Sequence, residues 1–152
     1  MPTITYRREI KAPPEVVFDL CRSIDFHIEA AQAIRSRAEG GQRTGLSEEG
    51  SVTAYSAVFF GCRFKLTMAI SDFNPPFEFR DSMTRGLFTH FSHHYQLTST
   101  ATGCLLTDTF AFEVPGGRLG KLFQKLLIQS ALEKAQNTRL DAIKRKAEGI
   151  YS

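Results

Sequence analysis

The chain has no tryptophan, only three cysteines in 152 residues and almost no net charge, its 19 Lys and Arg facing 16 Asp and Glu for a formal +3. A charge so small and scattered gives no electrostatic reason to hold nucleic acid or another polyanion. Cys21, Cys62 and Cys104 are about forty residues apart, a spacing that suits neither a zinc site nor a redox pair, so reduced thiols are expected. No apolar run approaches the ~20 residues of a membrane span, and residues 1–10 hold no signal-peptide core. A cytoplasmic chain without stable membrane insertion is the expectation. A Gly-x-Ser-x-Gly elbow, a phosphate loop and a dinucleotide fingerprint are all missing, so no cofactor is expected.

What the chain does have is phenylalanine, in 13 copies. Phe brings large apolar area with no polar group to satisfy, which suits a dry core or the wall of an apolar pocket. From residue 51 onward the pattern is one of long alternating strands, at 51–60, 62–74, 77–85, 87–98 and 103–114. The separators are Gly61, Asn74-Pro75-Pro76, Gly86 and a Ser/Thr/Ala loop. They are too short for crossover helices, so consecutive strands must pair antiparallel. Alternation is cleanest in Cys62, Phe64, Leu66, Met68 and Ile70, as on a sheet with one face buried and one wet. Before these come a strand at 3–11, a helix opened by Ala-Pro-Pro-Glu, a second short helix capped by Ser23 or Asp25 and running to Ile34, and at most a short edge strand at 36–43.

Residues 115–148 read as the central element, because no proline follows Pro115 and no glycine lies between Gly120 and Gly149. Their apolar residues form two faces. Leu119, Leu122, Phe123, Leu126 and Leu127 mark one; Ile128, Ala131, Leu132, Ala135, Ala142 and Ile143 mark a nearly opposite one. Either the segment breaks near 124–130, or one helix is wrapped by protein on both sides. Its terminal cations complement a helix dipole rather than indicating nucleic acid. The sum is a single α+β domain over 1–152, with a long helix across a curved antiparallel sheet.

Several stretches carry a family likeness: I10-x-A-P-x-E15-x-V17-F18, then Phe73-x-Pro75-Pro76-x-x-Phe79-x-Asp81 with Gly86-x-Phe88 and His93. Further on come Gly103 to Asp108, Phe112-x-x-Pro115-x-Gly117-x-Leu119-Gly120, and Arg139 with Ile143-Lys144. In this order they resemble the superfamily of START domains, the birch-pollen allergen and polyketide cyclases, called helix-grip or SRPBCC proteins, in its bacterial ligand-binding form. The resemblance implies about seven strands wrapped around a long C-terminal helix, two short helices after the first strand, and a cavity for an apolar or amphipathic small molecule. One position departs: relatives often carry His-x-His where this chain has His93-His94-Tyr95.

Polar residues that interrupt apolar strand faces are the candidates for chemistry. Asp108 lies among Cys104, Leu106, Phe110 and Phe112, and Asp81 among Phe77, Phe79 and Met83; a buried carboxylate asks for a partner. Opposing Leu97 to Cys104 sets Tyr95 against Leu106, His93 against Asp108 and Phe91 against Phe110, near enough for a His–carboxylate hydrogen bond. His90 and His94 share the other strand face at about 13 Å, so the three histidines do not converge on a metal. Gly61 and residues 115–120 have the backbone freedom expected of a lid.

The first functional expectation is a binding protein for a lipid, polyketide or aromatic. Its expected pocket comprises Tyr55, Phe64, Leu66, Met68, Phe79, Asp81, Phe91, His93, Tyr95, Asp108, Phe110, Leu122, Phe123 and Leu126. The second is an enzyme of cyclase, aromatase or hydrolase type using His93, Asp108 and Asp81 as acid and base. The third is a module that accepts another protein.

Overall fold

The structure is a computed structural model that describes residues 3–151. Seven strands form one antiparallel sheet: β1 (Thr3–Ile10), β2 (Arg37–Gly41), β3 (Val52–Phe59), β4 (Cys62–Asn74), β5 (Glu78–Gly86), β6 (His90–Ser99) and β7 (Cys104–Glu113), in the order β1-β7-β6-β5-β4-β3-β2. Each hairpin arises where alternation stops at the expected separators. β1 departs, crossing to pair with β7 at the far edge. Register shifts between Ala38 and Gly40, Thr67 and Met68, and Ser71 and Asn74 curve the sheet.

Helices α1 (Pro14–Arg22) and α2 (Ile24–Ala30) follow β1, with Pro14 in the first turn, where its missing N–H costs nothing. Ser23 caps α2, its Oγ accepting from the Phe26 N–H at 3.1 Å. Ser23→Ala is expected to cost about 1 kcal/mol in urea denaturation, the loss of one satisfied helix-end donor. The helix stops earlier than the sequence suggests, and a 3-10 turn covers Gln32–Ile34.

The C-terminal helix is neither broken nor uniform. It runs as α3 (Gly117–Phe123), a π turn at Gln124–Ile128, and α4 (Gln129–Tyr151). A π turn inserts one residue, so the face of α3 does not continue in phase into α4. The sheet-facing residues of α4 are Gln136, Arg139, Leu140, Ile143 and Ala147, all buried. The expectation that Leu122, Phe123 and Leu126 pack opposite the sheet is corrected: they are 56%, 51% and 65% exposed. At the turn Gln124 is buried instead, its Oε1 accepting from the Val114 N–H at 3.0 Å. Among the described residues no helix is long and apolar enough to cross a membrane.

The filled core lies under α4 and α1, where Val17, Phe18, Cys21, Leu140 and Ile143 meet Ile10, Leu97, Cys104 and Leu106 of the sheet. Arg8 holds α4 to β1 through Asp141 at 2.9 Å and Asn137 at 2.7 Å. At the opposite end of the sheet, strand pairing gathers the β3–β4 turn, the β5–β6 turn and the junction of β7 with α3. Exposed Phe60, Phe64, Leu87 and the α3 stripe belong to this end.

Candidate functional site

Strand pairing sets the inner-face side chains in rows. One runs Phe110, His93, Asp81, Ile70 across β7, β6, β5 and β4; the next runs Tyr6, Asp108, Tyr95, Phe79 across β1, β7, β6 and β5. The polar members are adjacent, and they form the floor of a trough. The expected β6–β7 register is two residues out: Ser99 opposes Cys104, His93 opposes Phe110 and Tyr95 opposes Asp108. Side-chain direction has period two, so the slip leaves every residue on its expected face. His93 and Asp108 therefore meet diagonally, with Nδ1 at 3.1 and 3.2 Å from the two carboxylate oxygens.

Asp108 is 0% exposed and also accepts from the Gln136 Nε2–H at 2.6 Å. With Nδ1 donating to Asp108, the Nε2 of His93 is left as the acceptor. The imidazole is clamped flat on Phe110, with ring centroids 4.3 Å apart, and Tyr95 stacks against it with centroids 5.6 Å apart. Arg139 reaches down from α4, donating to the Tyr95 hydroxyl and, at 2.8 Å, to the Cys21 carbonyl.

Asp81 is the perturbed acid. Burial raises its pKa from 3.8 to about 6 against the pull of His93 and Arg139, with Asp108 adding to the rise. Burial likewise pushes His27 well below its usual range, helped by Arg139 and His93, so that imidazole is neutral. Tyr55 packs against His27 with ring centroids 4.7 Å apart and the planes tilted by 54°. Burial raises Tyr6 to about 12, and its hydroxyl has no partner among the described residues.

Above the polar floor the inner face opens. Along β4, Ile70 and Met68 are buried at 7% and 5%, Leu66 is half-buried and Phe64 is 38% exposed. Met83 and Phe91 are also half-buried, whereas Phe79 and Phe110 are closed into an aromatic cluster and serve as core. A separate groove of about 510 Å³ lies beside the π turn, lined by Glu113, Lys121, Gln124, Lys125, Gln129, Ser130 and Glu133. Its charged lining is a poor match for an apolar body. His90 and His94 face away from the trough, His90 bonded to Ser92 at 2.9 Å and His94 to Glu78 at 2.8 Å.

Sequence reasoning placed Asp81, His93, Tyr95 and Asp108 together but missed Gln136, Arg139 and His27. For the two helix residues the signal was present: Leu132, Gln136, Arg139 or Leu140, Ile143 and Ala147 keep helical spacing, and two of those positions are polar.

Residues 1–148 match the family described as polyketide cyclase / dehydrase and lipid transport. The chain belongs to this family. No curated protein matches it. Among solved structures it resembles a protein from Thermus thermophilus at 17% identity and TM-score 0.79, covering 99% of this chain and 100% of that one. A START superfamily protein from Mycobacterium smegmatis matches at 13% and 0.72, over 97% and 98%. Ara h 8.0201 matches at 15% and 0.71, over 97% and 98%. At such identities these likenesses establish the fold alone.

Proposed function

We propose that the chain binds a small hydrophobic or amphipathic molecule, of the lipid, polyketide or aromatic kind, between the inner face of the sheet and the C-terminal helix. The observation that carries this reading is the stepwise loss of burial along inner-face apolar residues of β4, from Met68 at 5% through half-buried Leu66 to Phe64 at 38%, above a floor of polar groups. A filled core does not leave such side chains wet, and a pocket for a small molecule is lined in this way. The body of the ligand lies against Leu66, Met68, Met83 and Phe91, with its polar end toward Tyr55, Asp81 and His93. Native mass spectrometry of protein purified from cells, followed by organic extraction, tests it. A bound lipid or aromatic is expected; protein that carries no small molecule and takes up none from an apolar panel would overturn the reading.

In this reading α3 and the π turn that follows it form the lid. Gly116 and Gly117 have φ of 106° and 58°, backbone that L side chains rarely adopt, and they precede the exposed stripe of Leu119, Leu122, Phe123, Leu126 and Leu127. Closing would bury that stripe on the ligand. Leu122→Ser and Leu126→Ser are each expected to change stability by less than about 0.5 kcal/mol, being surface substitutions. Ligand affinity should nonetheless fall by about tenfold or more, the worth of one buried leucine. Unchanged affinity in both variants would remove α3 and the π turn from the site.

A second reading is favoured by one observation: His93 is oriented by Asp108, and Asp81, raised to about 6, lies opposite it on the next strand. A base and an acid so placed suit a cyclase, aromatase or hydrolase, with His93 Nε2 taking a proton and Asp81 supplying one. Turnover of a supplied polyketide or ester, lost in His93→Ala, is the result that would favour it over binding alone.

A further inference from the structure

Arg139 is 7% exposed, yet its guanidinium has no carboxylate within ion-pair distance among the described residues. Two of its nitrogens are used, on the Tyr95 hydroxyl and the Cys21 carbonyl, and Nε is buried without a partner among the described residues. A buried donor left unpaired is uncommon and asks for an acceptor. Asp81, whose carboxylate makes no hydrogen bond among the described residues, lines the same small hollow as Arg139. The hollow measures about 10 Å³; Tyr55, Ile70 and Phe79 wall it on the sheet side, and Cys21, Arg22, Ser23, His27 and Ser47 complete the wall. That is room for one oxygen atom with its hydrogen.

We propose that this hollow between Arg139 and Asp81 seats a single hydroxyl, so that the molecule held in the trough is an apolar alcohol or phenol. The inference rests on the ligand-binding reading above and gives its ligand a polar end. A hydroxyl is the one small group that answers both walls, accepting from the Arg139 Nε–H while donating to the Asp81 carboxylate. A ketone answers only the arginine. A carboxylate also only accepts, and it would bring a third acid to Asp81 and Asp108 beside the Arg139 guanidinium, with His27 held neutral and the Arg22 cation of the same wall already paired to Asp19 at 2.8 Å. A hydrocarbon leaves both walls unanswered, which a site built for a hydroxyl penalises strongly.

Naphthalene, naphthol and naphthoate share one apolar body and differ in the group offered to the hollow. Their dissociation constants, measured by fluorescence on the full chain, test the assignment. Naphthol is expected to bind about tenfold or more tighter than either of the others, one good hydrogen bond's worth. In Asp81→Leu, which removes the acceptor at similar size, the ratio of naphthalene to naphthol dissociation constants should fall toward one; Asp81→Asn, which keeps an acceptor oxygen, should fall between. A ratio is read, so a general loosening of the fold cancels. Equal affinity for naphthol and naphthalene would mean that the hollow holds a structural water only, and tightest binding of naphthoate would mean an anion site. Either result overturns the hydroxyl seat and leaves the apolar trough standing. If none of the three binds, both readings fall.

Discussion

Asp108→Ala is expected to destabilise the protein by about 2–4 kcal/mol, the cost of leaving two buried donors without their acceptor. The carboxylate is 0% exposed and receives both the His93 Nδ1–H and the Gln136 Nε2–H. Alanine leaves two donors on two different elements facing a void, and each unmet donor adds a desolvation cost. Arg139 also loses one of the negative groups near it. Asp108→Asn separates these effects. Its amide oxygen can still accept from Gln136, while its NH2 faces His93 Nδ1, so the imidazole must change tautomer and accept there. The expected cost is then about 1 kcal/mol, with the proton moved to Nε2. Urea denaturation of both variants reads the energies, and nitrogen NMR of the histidines reads the tautomer. If Asp108→Ala loses less than about 1 kcal/mol, the network is not what holds this part of the core.

The same contacts show how far the sequence alone could go. Which residues share a face was legible, because alternation has period two and a slip of two residues does not disturb it. Register was not. The hairpin after β6 closes through the Thr100 N–H to the Gly103 carbonyl at 2.9 Å, tighter than the loop of 98–103 assumed from composition. Gly103 is there because a Cβ would stand 2.1 Å from the Ile10 carbonyl oxygen, a contact with β1 that local pattern cannot reveal. Hence Tyr95, not His93, stands directly across from Asp108.

The helix failed for a related reason. Helical spacing projects the stripe of Leu119, Leu122 and Leu126 onto the sheet only if every turn has the same residue count, and the π turn at Gln124–Ile128 breaks that assumption. Nothing in those five residues names a π turn in advance. Arg139 and Gln136, by contrast, interrupt an apolar helix face much as Asp81 and Asp108 interrupt strand faces. Strand alternation alone therefore does not reach Gln136 and Arg139, which contact Asp108 and Tyr95 from the helix.

Asp81→Asn is expected to stabilise the protein at neutral pH by about 1–3 kcal/mol, since each tenfold change in proton affinity on folding corresponds to ~1.4 kcal/mol. The cause is burial, which lifts the carboxyl from 3.8 to about 6, with no hydrogen bond among the described residues to offset the charge. A raised carboxyl pKa means that the folded state holds the proton more tightly than the unfolded state does. The stability this contributes is complete below about pH 4 and is lost as pH rises through about 6. At neutral pH the parent therefore bears an ionised, unpartnered acid, and asparagine, which never ionises, does not. The gap between variant and parent should be widest above about pH 7 and should close as the pH falls toward about 4. Thermal denaturation across that range reads it directly. A gap that does not depend on pH, or a variant less stable than its parent at neutral pH, would mean that Asp81 has a partner in solution that relieves its charge. A costly acid that lines a one-oxygen hollow with an unpaired arginine is otherwise hard to account for by stability, and stabilisation on its removal is the trade expected of a group kept for binding.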